Sequence, residues 1–179
     1  IHHLPEVREK LLAELDTFDT DGDLSSIAKL PYLNGVCAET LRIYPIALIA
    51  FPRINKAAIK IMDCEYPAET QLIPCIYLTH HREDLYPEPK QFKPERFIDK
   101  QYSPYEYLPF GGGNRRCIGM AFALFEMKLV LTTVLKNFDL SIVNNHEVKP
   151  TRRGGTLAPS GGKWLMATGK RDVKVKVGV

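Results

Sequence analysis

Apolar residues recurring at helical spacing predict the first elements of this chain. A first amphipathic helix is predicted near the start, with one apolar face. The residues of that face are Leu4, Val7, Leu11, Leu15 and Phe18. A second helix is predicted over residues 32–44, because Pro45 cannot continue it. Residues 118–136 are apolar nearly all round, which predicts a long buried helix.

Shorter apolar runs separate and follow these helices. Residues 46–78 contain "IALIAF", "AAIKIM" and "QLIPCIYL", which predict short strands, and residues 79–84 predict one helical turn. Residues 84–109 are dense in proline and aromatic residues without a clear period, as in an irregular meander. Residues 138–170 predict further strands, broken by "RRGG" and "PSGG". The pattern therefore predicts a mainly α chain with small antiparallel β-sheets, in the α+β class.

Composition narrows the class of protein without naming a function. The 179 residues are 45% hydrophobic and 25% charged, as in a globular domain or part of one. The net charge of +3 is mild and its basic residues are scattered, so nucleic acid is not an expected partner. The tail "KRDVKVKV" is predicted to be a solvated end. Glu126 and Lys128 interrupt the most apolar stretch, so no membrane span is predicted.

Four cysteines stand at positions 37, 64, 75 and 117, without the spacing of a zinc site. No signal peptide is visible, and reduced thiols in a cytoplasmic compartment are expected. The acidic loop "DTDGDLSS" is not a calcium loop of the EF-hand type, because Thr17 and Ala28 would occupy its first and twelfth ligand positions.

The stretch "LPFGGGNRRCIG", residues 108–119, carries the strongest chemical signal. A cysteine at the start of a helix and beside an arginine favours the thiolate, which serves as a nucleophile or as a metal ligand. No histidine lies near Cys117 in sequence to act as its base, although the fold can bring one. A hydrolase with Cys117 as nucleophile therefore stays open, and it predicts alkylation of Cys117 and no haem.

An iron ligand explains more of the surrounding residues. Gly113 and Gly119 leave space for a flat macrocycle, Phe110 can cover the sulfur, and Arg115 can pair with an anionic group on the macrocycle edge. A phosphate-binding glycine loop fits poorly, because no G-K-[ST] follows and Arg116 replaces the third glycine of G-x-G-x-x-G.

This stretch resembles the cysteine-loop signature of the cytochrome P-450 family, F-x-x-G-x-R-x-C-x-G. All fixed positions match: Phe110, Gly113, Arg115, Cys117 and Gly119. The order of other segments is also similar to the family, with "ETLR", "PR" at 52–53, "HRED" at 81–84 and "PERF" at 94–97. The resemblance extends over about residues 1–170.

The resemblance implies roles for individual residues. Cys117 would be the axial thiolate ligand of the iron of haem b (iron protoporphyrin IX), and would push electron density toward that iron. Arg115 and Arg53 would pair with the haem propionates, and Ala123 would face the haem. A structural triad would hold the cysteine loop, formed by Glu39, Arg42 and Arg96. His80 and His81 are interpreted as local structure.

The resemblance also implies a substrate and partners. The apolar segment Ala47, Leu48, Ile49, Ala50 and Phe51 would line the substrate pocket together with Leu157, although plain core residues are an equal alternative for these six. The implied reaction inserts one oxygen atom of O2 into a lipophilic substrate, with electrons from a redoxin or a reductase. The resemblance to bacterial fatty-acid hydroxylases favours a long-chain fatty acid.

One family element is not found in the sequence. No [AG]-G-x-[DE]-T acid–alcohol pair occurs, so residues 1–179 resemble the C-terminal haem-binding part of the fold, without its N-terminal half and oxygen-activating helix. Any membrane anchor would lie in that other part. We expect the chain alone to be inactive as a monooxygenase. The alternative is a non-catalytic remnant, a binding or structural module with weak haem binding.

Overall fold

The computed structural model describes residues 2–18, 24–143, 148–162 and 164–171. Five α-helices lie in these ranges: α1 Pro5–Asp16, α2 Pro31–Ile43, α3 Ile76–His80, α4 Arg96–Asp99 and α5 Met120–Asn137. The strands of the same ranges are β1 Arg53–Ile54, β2 Ile59–Ile61, β3 Cys64–Tyr66, β4 Gln71–Leu72, β5 Phe138–Ile142, β6 Pro150–Arg153, β7 Thr156–Pro159 and β8 Leu165–Lys170. Two 3₁₀ helices are Leu24–Lys29 and Gly113–Arg115.

The apolar face of α1 packs against α2 and α5 to form the main core. Its buried residues are Leu11, Leu15, Phe18, Ile27, Tyr32, Leu33, Val36, Cys37 and Leu135. Burying such side chains contributes about 1.5–3 kcal/mol each to folding. The core therefore lies among the helices, and it fixes the position of α2, which contributes residues to the candidate site.

Glu14 of α1 joins the first two helices by capping the second. Its two carboxylate oxygens accept hydrogen bonds from the backbone N–H groups of Tyr32, at 2.8 Å, and Leu33, at 2.7 Å. Because the first turn of a helix has unpaired N–H groups and the positive end of the dipole, a carboxylate stabilises it there. Pro31, at the first position of α2, has no N–H to pair.

The strands of the described residues form two-stranded antiparallel sheets: β1 with β4, β2 with β3, β5 with β8, and β6 with β7. Within "IALIAF" the predicted strand is reduced to two single bridges, which pair Ala47 with Thr156 of β7 and Ile49 with Cys75. This combination of helices with small antiparallel sheets confirms the predicted fold class.

The segment "QLIPCIYL" differs from its prediction as one strand. Only Gln71–Leu72 is extended in a sheet, and α3 begins at Ile76, before the helical turn predicted at residues 79–84. The physical reason lies in Pro74, which cannot donate to a sheet ladder and so ends the pairing of β4. Ile76 is then buried as the first residue of α3.

Helix α5 occupies the range predicted for the long helix, but its predicted burial is wrong. Thr132, Leu135 and Lys136 are buried, whereas Phe122 is 70% exposed and Val130 56% exposed. The reason is that α1, α2 and the first 3₁₀ helix cover only one side of it. No helix in the described ranges is long and apolar enough to cross a membrane.

Parts of three predicted segments lie outside the described residues. They are positions 19–23 of the acidic loop, positions 144–147 and 163 of the predicted strand region, and positions 172–179 of the basic tail.

Candidate functional site

A fully buried ion pair on α2 forms the base of the site. Arg42 Nε lies 2.7 Å from Glu39 Oε2, and Arg42 Nη2 lies 2.8 Å from Glu39 Oε1. Arg42 also donates to the backbone carbonyls of His80, at 2.7 Å, and Pro89, at 2.8 Å. The Lys93 N–H donates to Glu39 Oε1 at 2.9 Å. The two buried charges are thus paired and their remaining hydrogen-bonding capacity is used, which offsets the cost of desolvating them.

Arg96 completes this group from α4. Its Nε lies 3.3 Å from Glu39 Oε1, and its Nη2 donates to the Glu88 carbonyl at 2.9 Å. The Arg96 side chain is 8% exposed. Helix α2 approaches this segment closely, since a Cβ added to Gly35 would stand 2.7 Å from the Pro94 carbonyl oxygen. The structure therefore brings the three predicted triad residues together, and Gly35 permits the approach.

The cysteine loop is a tight glycine turn with its own backbone hydrogen bonds. Cys117 N–H donates to the Phe110 carbonyl at 3.0 Å, and Gly111 N–H donates to the Leu108 carbonyl at 2.9 Å. Gly111, with φ +74°, and Gly113, with φ +61°, adopt left-handed backbone that favours glycine. The three glycines are therefore used partly for the turn itself.

Cys117 does not lie in the first turn of a helix, contrary to the expectation. Helix α5 begins at Met120 and has Gly119 as its N-cap, so two residues separate Cys117 from the helix. The turn bond to Phe110 holds the cysteine in the loop instead. Its side chain is exposed, which leaves the sulfur available to a ligand.

A cavity of about 660 Å³ lies in front of Cys117. Its lining includes Phe110 and Arg115 from the glycine turn. Ala47, Ile49, Ala50 and Phe51 also line it, together with Ile76 and Leu41. The cavity is thus a largely apolar space with a sulfur on one side, which suits a flat apolar macrocycle.

Arg53 and Arg115 both line this cavity. Both line an adjoining cavity of about 470 Å³ with Phe51, Pro52 and Ile54. Arg53 Nη1 donates only to the backbone carbonyls of Phe51 and Pro52, and neither arginine has a carboxylate partner in the part of the chain that the structure describes. Two cations free to bind an anion therefore stand at one rim of the cavity.

The other predicted site residues are placed differently. Leu48 does not line the cavity of Cys117, and its carbonyl accepts the Tyr77 N–H at 3.1 Å. Leu157 lines a neighbouring cavity of about 420 Å³, which shares Ile46 with the first. Ala123 lies on α5, partly buried, and lines neither cavity.

Sequence reasoning missed three residues that belong to this site. Asn114 and Arg116 line the cavity of Cys117, although both occupy variable positions of the signature; Arg116 has a sequence signal only as the arginine beside the cysteine, and Asn114 has none. His80 is fully buried, and its Nε2 lies 3.0 Å from the Leu108 N, at the beginning of the cysteine loop. Its sequence signal is the segment "THHRED", from which the sequence alone predicts only local structure.

Cys117 is suited to bind a metal whose other ligands come from a macrocycle and not from the protein. Within the described ranges no group of three or more His, Cys, Asp or Glu side chains could hold a metal ion. The exposed thiol of Cys117, an apolar cavity and two arginines without a carboxylate partner in those ranges match an iron macrocycle with anionic substituents. The same thiol has no histidine among the cavity residues to act as the base of a hydrolase.

Comparisons with known proteins agree with this chemistry. A family model described as Cytochrome P450 matches residues 1–166. The chain is 43% identical over 140 residues to cytochrome P450 3A29 of Sus scrofa, covering 75% of this chain and 28% of that protein. It is 38% identical over 173 residues to cytochrome P450 9e2 of Blattella germanica, covering 90% of this chain and 32% of that protein.

A solved structure shows the same similarity in three dimensions. The retinoic acid-bound cyanobacterial CYP120A1 superposes with a TM-score of 0.83 at 28% sequence identity, covering 93% of this chain and 40% of that chain. The chain thus spans about a third of the length of these relatives.

Proposed function

The chain belongs to the cytochrome P450 family, and we propose that it is the haem-binding part of a monooxygenase that acts on a lipophilic acid. The observation that carries this proposal is the position of exposed Cys117 on an apolar cavity with Arg53 and Arg115 at its rim. The bound haem b supplies the redox chemistry that inserts one oxygen atom of O2 into the substrate, with electrons from a redoxin or reductase.

The residues of this chain bind and orient the haem in this proposal. Cys117 would supply the thiolate that binds the iron, and the hydrogen bond from its N–H to the Phe110 carbonyl holds the cysteine backbone in place. Arg53 and Arg115 would bind the propionates by charge-assisted hydrogen bonds. Gly113 and Gly119 do not line the cavity of Cys117, contrary to the expectation, and Gly113 serves the turn, where its φ of +61° favours glycine.

The Glu39, Arg42 and Arg96 group has no contact with the cavity and therefore has a structural role. Its hydrogen bonds tie α2 to the segment from His80 to Arg96, which leads into the cysteine loop. In this way the buried pair holds the loop against the helical core without taking part in the reaction.

The substrate class rests on the apolar wall and on one relative. Ile49 and Phe51 are 48% and 72% exposed in the cavity region, and residues 46–51 carry no charge. The structural relative CYP120A1 holds retinoic acid, a lipophilic carboxylic acid. We therefore propose a long-chain lipophilic acid, with a fatty acid as the first candidate, positioned by Ala47, Ile49, Ala50 and Phe51 and by Leu157 from the neighbouring cavity.

The difference spectrum of the reduced protein with carbon monoxide tests the haem assignment. We expect the thiolate signature in the haem-reconstituted chain and its loss in Cys117→Ala, because the axial sulfur is removed. Cys64→Ala is the matched control, since Cys64 is also exposed but lies in β3 outside the cavity. A histidine-type spectrum that persists in Cys117→Ala would refute the assignment. Alkylation of Cys117 in a chain that takes up no haem would favour the hydrolase.

A further inference from the structure

We propose that His80 is a positioning residue, which transmits the geometry of the buried Glu39–Arg42 pair to Leu108, where the cysteine loop begins. The proposal rests on the proposed function in one respect only, that the cysteine loop is the part that must be held in place. His80 touches neither the cavity nor Cys117, so any effect on the site passes through Leu108.

His80 makes contacts on two sides with two different groups. Its backbone carbonyl accepts a hydrogen bond from Arg42 Nη1 at 2.7 Å. Its ring Nε2 accepts a hydrogen bond from the Leu108 N–H at 3.0 Å. The residue is 0% exposed. One buried residue therefore links the ion pair of α2 directly to the first residue of the loop.

The role of acceptor fixes the protonation state of the ring. An imidazole nitrogen accepts only when it carries no proton, so the neutral ring must hold its proton on Nδ1. Burial lowers the pKa of His80 to about 4, and the neighbouring Arg42 charge also lowers it. The ring is consequently neutral at physiological pH, and Nε2 is available to the Leu108 N–H.

The orientation of the ring is fixed by aromatic neighbours. The His80 ring is stacked on Tyr107, with centroids 5.5 Å apart, and meets the edge of Tyr86 at 6.4 Å. The Tyr107 hydroxyl donates to the Ala38 carbonyl of α2 at 3.2 Å. Because Tyr107 directly precedes Leu108, the start of the loop is attached to α2 by two independent routes.

The His80 ring is buried although only one of its two nitrogens is hydrogen-bonded, which indicates that the imidazole is needed for the acceptor atom Nε2. His80 Nδ1 is buried and has no hydrogen-bond partner in the described ranges. An unpaired buried donor lowers stability, so a leucine would fill this space at less cost if packing were the only requirement. Only an acceptor in this position can pair the Leu108 N–H.

The loop itself continues the connection toward the cysteine. The Leu108 carbonyl accepts from the Gly111 N–H, and the Phe110 carbonyl accepts from the Cys117 N–H. Moving Leu108 therefore moves the turn on which the Cys117 backbone depends. This gives His80 a measurable effect on Cys117 although the two residues are not in contact.

Amide hydrogen exchange of the ¹⁵N-labelled chain, followed by NMR without haem, tests the proposal. In His80→Leu we expect the Leu108 amide to exchange at least about tenfold faster, because its acceptor is gone. The Cys117 amide should follow it. The Lys93 amide, which donates to Glu39, should keep its protection because the ion pair is intact. In His80→Gln, whose Oε1 can replace Nε2, protection of Leu108 should be largely restored.

His81→Leu is the matched control, since this neighbouring imidazole contacts the Tyr77 carbonyl and not the loop. Unchanged Leu108 exchange in His80→Leu would overturn the proposal, as would an equal loss at Leu108 and Lys93. If the variants do not fold, the proposal is tested on the unsubstituted chain by NMR. A scalar coupling across the hydrogen bond between the Leu108 nitrogen and His80 Nε2 is expected there, and its absence overturns the proposal. None of these measurements needs haem, so failure of the haem assignment would be seen separately.

Discussion

Arg42 and Glu39 lie in contact on consecutive turns of α2, with both side chains at 0% exposure and their closest atoms 2.7 Å apart. An i,i+3 pair of this kind on a helix surface contributes little to stability. Here the pair is enclosed by the chain that leads to the cysteine loop, and it is held by backbone groups from that chain. The pair therefore acts as an anchor between the helical core and the candidate site.

Removing one member of this pair should unfold or strongly destabilise the chain. Arg42→Ala leaves the Glu39 carboxylate buried without its partner, and we expect a loss of roughly 3–5 kcal/mol in the free energy of unfolding. Urea denaturation followed by circular dichroism measures it. Arg82→Ala is the control, because its ion pair with Asp84 is exposed and its loss should change the free energy of unfolding far less than the loss of Arg42. Equal stability of the two variants would contradict the burial of the pair.

Gly35→Ala should destabilise the chain although alanine favours helices. The new Cβ would stand 2.7 Å from the Pro94 carbonyl oxygen, a backbone atom that cannot turn away. We expect a loss of roughly 1–3 kcal/mol from this overpacking, against the gain of about 1 kcal/mol expected from propensity. Thermal unfolding measures the balance. Gly155→Ala is the comparison, since no atom lies within 4 Å of its added Cβ. An increase in stability for Gly35→Ala would show that α2 and Pro94 are farther apart.

The two rim arginines should each contribute to haem affinity. Arg53→Ala or Arg115→Ala removes a cation that we propose to bind a propionate, and we expect about tenfold weaker binding of haem in each case. Absorbance titration of the chain with haem measures the dissociation constant. Arg152→Ala, an exposed arginine on β6, removes the same charge elsewhere and should leave binding unchanged. Equal weakening by all three variants would indicate a general effect of charge.

Because of His80, the free energy of unfolding should decrease as the pH is lowered through a defined window. Its pKa is lowered to about 4 in the folded chain from an ordinary value of 6.5, so protons bind the unfolded chain more readily. The contribution of the neutral His80 ring to the free energy of unfolding is fully present above pH 6.5. It is lost as the pH falls toward 4, and the loss is roughly 3 kcal/mol at most. The titratable groups facing this site are Arg42, Glu39, His81, Tyr86 and Tyr107.

Urea unfolding across this window isolates the His80 contribution by comparison with His80→Gln. Glutamine at position 80 does not titrate, whereas the other histidines are the same in both chains, so the free energy of unfolding of the variant should fall less between about pH 6.5 and 4.5 than that of the unsubstituted chain. The carboxyl groups of Asp84, Glu88 and Glu95 have pKa values below their ordinary range, and their contribution is lost only at lower pH. The same slope in both chains would show that His80 is not buried as a neutral ring.

The sequence by itself determined the helices and the chemistry of the loop. Leu11, Leu15 and Phe18 recur at helical spacing, and that spacing alone places them on one face, which is buried in the structure. The glycine turn before Cys117 has a local conformational requirement, positive φ, which a sequence motif records. Such features depend on neighbours within a few residues, and these are visible in the sequence.

Only the tertiary structure decided how the site is assembled. Arg53 and Arg115 line one cavity although they are 62 residues apart in the sequence. The hydrogen bond between Leu108 and His80 joins positions 28 residues apart, and no local periodicity encodes either arrangement. The burial of α5 was overestimated for the same reason, because an apolar helix is buried only where another element covers it. Sequence supplies the chemical groups, whereas packing of the helices on one another sets which of those groups meet.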